Sequence, residues 1–249
     1  MSIITKTDAE IDLMREPCAI VRDTLAFVGE RISAGMSTKE VDELVERFIR
    51  AAGAYPSCLG YGGFPASACV SVNEVVVHGI PDDKTILKDG DIVSVDLCAY
   101  KNGFHGDAAR TFLIGNVSEE KRLLVERTKE CFFKGIENLH AGTPLYDIGY
   151  RVQKYAESFG YGVIRSYTGH GIGREMHEDP AVPNYGRLGT GPRLKAKTVI
   201  CIEPMISMGN YRVRILDDDW GAVTIDGSPA AHYENTVAVR EDGVEILTL

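Results

Sequence analysis

The stretch GDIVSVDLCAYKNGFHGD, residues 90–107, sets a carboxylate inside an apolar run that reads as a buried strand. An isolated ionised carboxylate is expensive to bury, so Asp96 needs a partner. Strand residues alternate between faces. Val93, Val95, Leu97 and Ala99 therefore share one face, and Asp96 lies on the other with Ser94 and Cys98. Asn102-Gly103 is a strong signal for a two-residue hairpin turn. With that turn Asp96 stands opposite Ala109, and Asp107 lies two residues from Ala109 on the same strand and the same face. Diagonal neighbours of this kind sit roughly 7–8 Å apart at the backbone, and two metal ions about 3.5–4 Å apart fit between such side chains. A three-residue loop would reverse the parity and separate the two acids.

Two further acids occupy strand-like surroundings. Glu203 follows TVICI and precedes Pro204, and Glu234 lies in AHYENTVAV. His170 sits in GHGIG, where the glycines allow close backbone approach. Two divalent ions would neutralise the four carboxylates. An oxygen-rich donor set with one imidazole suits Mn, Fe(II), Co or Zn. Any one of these acids taken singly could equally be an ion-pair partner or a strand-end residue; the set is more specific than its members.

The 249 residues suit one large domain spanning 1–249. A net charge of -9 argues against a dedicated DNA-binding or other nucleic-acid-binding face. The six cysteines form no C-x-x-C pair, which disfavours a zinc knuckle. The chain opens without the pattern of a signal peptide, and no apolar run reaches the roughly 18 residues of a membrane span. A cytoplasmic protein with free thiols and no membrane partner is expected. Apolar residues spaced by three and four predict a helix over Asp8–Ile32, and Ser37 with Glu40 forms a capping box opening a second. A third helix is expected over Ser118–Leu139, and Thr143-Pro144 reads as the N-cap and first residue of a fourth, to about Phe159. Strands are expected over Ala68–Asn73, Ile92–Tyr100, Ala108–Ile114, Val163–Tyr167, Thr198–Ser207, Tyr211–Leu216, His232–Arg240 and Val244–Thr248. Helices followed by strands in both halves hint at a duplication, though too few residues match to establish one.

NEVVVHGIPDD, DGDIVSVDLCAYKNGFHGD, GHGIGREMHEDP, IEPM and YENTVAV occur in this order. Together they resemble the type I, bacterial methionine aminopeptidases, over nearly the whole chain. The resemblance implies an α+β pita-bread fold, with two pseudo-symmetric halves around a curved antiparallel sheet. It implies a dinuclear metal centre held by Asp96, Asp107, His170, Glu203 and Glu234. The minimal form, without an N-terminal zinc-binding extension or the type II insertion, is expected, acting as a monomer.

The implied reaction removes the initiator methionine from nascent polypeptides and peptides whose second residue is small. A water bridging the two ions would be deprotonated and attack the scissile carbonyl, with Glu203 both ligating and shuttling the proton. His177 would hydrogen-bond the carbonyl oxygen, and His78 would contact the scissile amide or side-chain region. The spacing of seven between His170 and His177 is not that of an H-E-x-x-H zinc helix. By motif position the methionine pocket is lined by Cys58, Tyr61, Phe64, Cys69, Met176 and Trp220. Two departures stand out. Many bacterial relatives read YHGYP where this chain has YGGFP, and Met176 replaces a more usual Phe, so pocket shape is set apart at Gly62, Phe64 and Met176. Transient ribosome contact is a further implication. Two rivals share the fold: an X-Pro aminopeptidase or prolidase, and a non-enzymatic binding module. The former carries a different histidine set; the latter loses metal ligands, and this chain keeps all five. The chain's own Met1-Ser2 start also satisfies the small-residue rule.

Overall fold

The structure is a computed structural model and describes residues 3–249; Met1 and Ser2, on which the expectation about the chain's own start rests, lie outside the described residues. Helix α1 (Asp8–Gly29) begins at a capping box of Thr7 and Glu10 and buries Ile11, Met14, Cys18, Val21, Leu25 and Val28, the face its spacing predicts. Helix α2 (Thr38–Ala51) begins at the predicted Ser37–Glu40 box. Helix α3 (Glu119–Gly135) is capped by Ser118. Helix α4 (Tyr146–Glu157) departs from expectation, starting past Thr143-Pro144. The Thr143 hydroxyl instead accepts from the His140 N–H at 3.1 Å, and Pro144 bridges to Arg193. Those two residues close a turn ahead of the helix, and the Leu145 N–H is taken up by the Pro192 carbonyl at 2.9 Å.

Strands β1 (Tyr55–Pro56), β2 (Cys69–Val72), β3 (Val75–Val77), β4 (Ile92–Lys101) and β5 (Phe104–Leu113) precede α3. After α4 come β6 (Gly162–Val163), β7 (Gly169–Gly171), β8 (Glu178–Val182), β9 (Val199–Ile202) and β10 (Met205–Ser207). The last five are β11 (Val213–Ile215), β12 (Ala222–Thr224), β13 (Ala230–His232), β14 (Asn235–Val239) and β15 (Val244–Ile246). Pairing is antiparallel throughout the described strands. The longest sheet runs β15-β14-β9-β7-β8, and β4 is flanked by β1, β2 and β5.

Two expected strands are each divided. Thr198–Ser207 breaks at Glu203-Pro204 into β9 and β10, and His232–Arg240 breaks at Tyr233-Glu234 into β13 and β14. Because β9 pairs with β14 and β10 with β13, the breaks face each other where the chain passes from one sheet to the next. Proline at 204 supplies no N–H for a ladder, which fits a strand end better than a strand middle.

The apolar face of β4 packs under the first two helices: Val93, Val95, Leu97 and Ala99 meet Val21, Leu25, Val41 and Val45. At about 1.5–3 kcal/mol per large buried side chain, this contact fixes which face of β4 is turned away, and Asp96 lies on that other face. In the second half Phe132, Leu145 and Ile148 cover Ile200, Ile202 and Val237. A third cluster joins the halves: Ile11, Met14 and Cys18 of α1 and Phe104 of β5 pack on Ile172, Val199, Ala238 and Leu247.

Candidate metal and substrate site

The β4–β5 turn has φ of 56° at Asn102 and 83° at Gly103, the two positive values of a type I′ turn. Register follows as the alternation requires: Asp96 pairs with Ala109 and Cys98 with Asp107. Both aspartates thus project from the helix-free face. Glu203 and Glu234 come from the two facing strand breaks. His170 is the middle residue of β7, and its neighbours must be glycine: a Cβ on Gly169 would lie 2.2 Å from the Cys201 carbonyl oxygen, and one on Gly171 2.3 Å from that of Asp179.

Hydroxyl groups stitch the halves at this point. The Thr236 hydroxyl donates to the Asp107 carbonyl at 2.8 Å and accepts from the Asp107 N–H at 3.1 Å. The Thr111 hydroxyl does the same for His232, at 2.9 and 3.0 Å. Each threonine replaces a missing strand neighbour and fixes the backbone at or beside a candidate ligand. The Arg110 guanidinium adds a bond to the Asn235 side chain at 2.8 Å and lies 4.3 Å from the Tyr233 ring centre. None of these residues stands out in the sequence, where a threonine in a strand is ordinary.

His170 donates Nδ1–H to the Gly171 carbonyl at 2.9 Å, which leaves the Nε2 lone pair facing Glu203 Oε1 at 3.7 Å and Asp107 Oδ2 at 3.9 Å. Burial, followed by the neighbouring His177, lowers its pKa to about 3, so the ring is neutral and can donate that lone pair. Asp107 and Glu234 are buried, and one oxygen of each, Asp107 Oδ1 and Glu234 Oε1, has no hydrogen-bond partner. Burial and then mutual repulsion push the Asp107, Glu203 and Glu234 pKa values well above the ordinary carboxylate range; burial raises Asp96 as well. Orphaned carboxylate oxygens, a lone-pair imidazole and uncompensated like charges are the chemistry of a divalent-cation site. Donor atoms of Asp107, His170, Glu234 and the unforeseen Cys201 all lie within 4.8 Å of one another. The residues present fit such ions.

All five candidate ligands line one cavity of about 350 Å³, together with the expected pocket residues Cys58, Tyr61, Phe64, Cys69, Met176 and Trp220. Trp220 meets Phe64 edge-on with ring centres 5.1 Å apart, closing the apolar end. Tyr167 and Met205 also line the cavity and were not expected there. His78 and His177 stand on its walls. His78 has φ of 59°, a conformation uncommon outside glycine and concentrated at functional positions. Burial lowers its pKa to about 4, with His232 adding to the shift. His177 Nδ1 is 2.8 Å from the Tyr61 hydroxyl. Burial, then His78, lowers the His177 pKa. When the Tyr61 hydroxyl donates to Nδ1 of the neutral ring, the ring proton lies on Nε2 and is available to a substrate.

A buried carboxylate and imidazole cluster at one end of an apolar cavity defines a metallopeptidase-type centre. Metallopeptidase family M24 matches residues 12–241, and the chain belongs to that family. It is 55% identical over 247 residues to the methionine aminopeptidase of Clostridium acetobutylicum, covering 99% of each chain. The crystal structure of methionine aminopeptidase from Rickettsia prowazekii superposes with a TM-score of 0.98 at 41% identity, covering 100% of both chains. The prolidase from Pyrococcus furiosus shares the pita-bread fold at a TM-score of 0.79 and 26% identity, over 99% of this chain and 66% of that one.

Proposed function

We propose that the chain is a methionine aminopeptidase, releasing N-terminal methionine from peptides and nascent polypeptides whose second residue is small. The observation that carries this is one cavity lined both by four carboxylates and His170 and by the soft apolar side chains of Cys58, Phe64, Cys69, Met176 and Trp220. Asp96, Asp107, His170, Glu203 and Glu234 would hold two divalent ions, drawn from Co, Mn, Fe(II) or Zn. Bound there, the ions lower the pKa of water and polarise a carbonyl.

The chain's own groups do the rest. A free α-amino group is the ligand that ions held by these residues would take from the substrate, which makes the reaction an exopeptidase one. The thioether of methionine packs on Cys58, Cys69, Phe64, Met176 and Trp220, since sulfur and aromatic edges suit it. His177 Nε2–H donates to the scissile carbonyl oxygen as negative charge develops there. His78 contacts the scissile amide or the side-chain region. Glu203 takes the proton of the attacking water and returns it to the leaving amine. The 1–249 chain acts as one catalytic unit, a cytoplasmic monomer in transient contact with ribosomes as their products emerge; the thiols of its six free cysteines suit a reducing compartment.

The test is release of free methionine from Met-Ala-Ser and Met-Lys-Ser peptides by metal-loaded protein. Cleavage of the first alone, abolished by chelator, is expected. Efficient cleavage of the second would count against the small-residue rule and the aminopeptidase reading, whereas cleavage of Xaa-Pro peptides in preference to Met-Ala would favour the prolidase-like one.

A further inference from the structure

One buried ion pair has no part in that scheme. Lys6 is 5% exposed and pairs with Glu178, whose side chain is likewise shut off from water. Buried pairs return little net stability, so what this one holds matters more than its energy. The Glu178 oxygen not facing Lys6 accepts from the N–H groups of Arg174 at 2.9 Å and Glu175 at 3.4 Å. The Gly173 N–H closes the turn onto the Glu175 carbonyl at 3.1 Å. Gly173 lies flat against the pair: a Cβ there would sit 2.5 Å from Lys6 Nζ and 2.6 Å from Glu178 Oε1. The loop from Gly173 to His177 is therefore wound around one carboxylate, and Lys6 caps that carboxylate from the far side.

Lys6 is itself fixed. Its N–H donates to the Lys197 carbonyl at 2.8 Å, and Thr5 bridges to Thr198. A second tie runs in parallel, from Arg174 Nη2 to Glu10 Oε1 at 3.1 Å. The other Glu10 oxygen accepts from the Thr7 N–H at 2.8 Å in the box that starts α1. The loop is thus tied to the N-terminal segment as well as to β5, where the His105 N–H donates to the Gly173 carbonyl at 2.9 Å, and its last two residues, Met176 and His177, form part of the cavity wall.

We propose that Lys6 is a positioning residue for the hydrolysis: by pairing with Glu178 it sets the Gly173–His177 loop, and so the His177 imidazole and the Met176 wall of the pocket. This rests on the aminopeptidase reading above. Without Lys6, Glu178 is a buried charge holding only two N–H donors, and it must turn toward water. Turning releases the Arg174 and Glu175 N–H groups, and the loop shifts. The five candidate metal ligands lie outside the loop, so metal binding is spared.

The test is a double-mutant cycle on Met-Ala-Ser cleavage with Lys6→Ala, Glu178→Gln and His177→Ala, each checked for folding by circular dichroism. Lys6→Ala lowers kcat by between about 10- and 100-fold, the scale of a misplacement near 1 Å, while Mn affinity measured by calorimetry stays at the wild-type value. In the His177→Ala background the same change costs less than about twofold, because coupled residues are not additive. Ethylammonium restores part of the kcat of Lys6→Ala and none of that of Lys6→Met, whose side chain fills the space. If Lys6→Ala fails to fold, Glu178→Gln carries the same cycle. Wild-type kcat in Lys6→Ala, or a loss that multiplies independently with His177→Ala, overturns the inference. Wild-type protein that releases no methionine under any metal overturns the aminopeptidase reading, and this inference with it.

Discussion

Asp107 shows what the site costs at the scale of one residue. Its carboxylate is buried, one oxygen has no partner, and burial with the nearby Asp96 and Glu203 raises its pKa. A carboxylate whose folded pKa is raised favours folding only while protonated. Its penalty is absent below the ordinary pKa, grows as pH rises from there toward the folded one, and is fully present above it. Asp107→Asn should therefore abolish turnover yet raise the stability of chelated protein at neutral pH, by about 1–2 kcal/mol, the common return from relieving active-site strain. That advantage should shrink as pH falls toward the ordinary carboxylate range. Thermal melts of both proteins across pH, in chelator, check the sign; a variant less stable at neutral pH with no pH trend would contradict it. At the other wall, His177→Ala should lower kcat about 10²–10³-fold, the scale of one oxyanion donor, whereas Tyr61→Phe should lose less because the ring stays in place. The four acids were legible because a charge in an apolar strand is physically conspicuous, and His170 because glycines flank it; their grouping into one ligand set came from the family resemblance. Thr111, Thr236 and Cys201 were not, since a hydroxyl or thiol in a strand is easily satisfied locally and signals nothing by itself.

Among the elements, the β4–β5 hairpin was the most readable. Two turn residues fixed by Asn102-Gly103 and a clean alternation were enough to place Asp96 against Ala109, as the register shows. Asn102→Val puts a β-branched residue at φ of 56°; it should cost about 1–2 kcal/mol, the usual penalty for a left-handed conformation, while kcat at a temperature below unfolding stays near wild type. A large fall in kcat with unchanged melting would mean that the turn shapes the site rather than merely holding its register. Continuous β-forming runs were read less well. Thr198–Ser207 and His232–Arg240 look unbroken in sequence, yet each bends to another sheet at its glutamate. Pairing between distant segments decides both bends; Pro204 is a local sign of the first, and no residue marks the second. The Thr143-Pro144 signal failed for a similar reason: the turn to His140 and the bridge to Arg193 claim those residues before a helix can.

Across the whole molecule, the candidate ligands divide between the halves, with Asp96 and Asp107 before α3 and His170, Glu203 and Glu234 after α4. The halves already share an apolar seam through α1 and two threonine stitches. Ions bound between them would add cross-links that exist only in the folded state, because the unfolded chain cannot bring these five residues together. Such binding stabilises by mass action, about 2.7 kcal/mol when free metal stands at 100 times its dissociation constant. It also cancels the carboxylate repulsion that burdens the metal-free fold. For a chain of this size each kcal/mol moves the melting midpoint roughly 2–4 °C, so metal loading should raise it by about 5–10 °C at neutral pH. The gain should fall as pH drops and protons compete for the carboxylates. Glu234→Ala removes a donor from the second half alone; it should lose most of the metal-dependent shift while leaving the chelated protein at least as stable as wild type. Calorimetric melts of wild type and variant, with Mn and with chelator, measure this directly. A shift of equal size in both proteins would place the bound metal elsewhere than at the junction of the two halves.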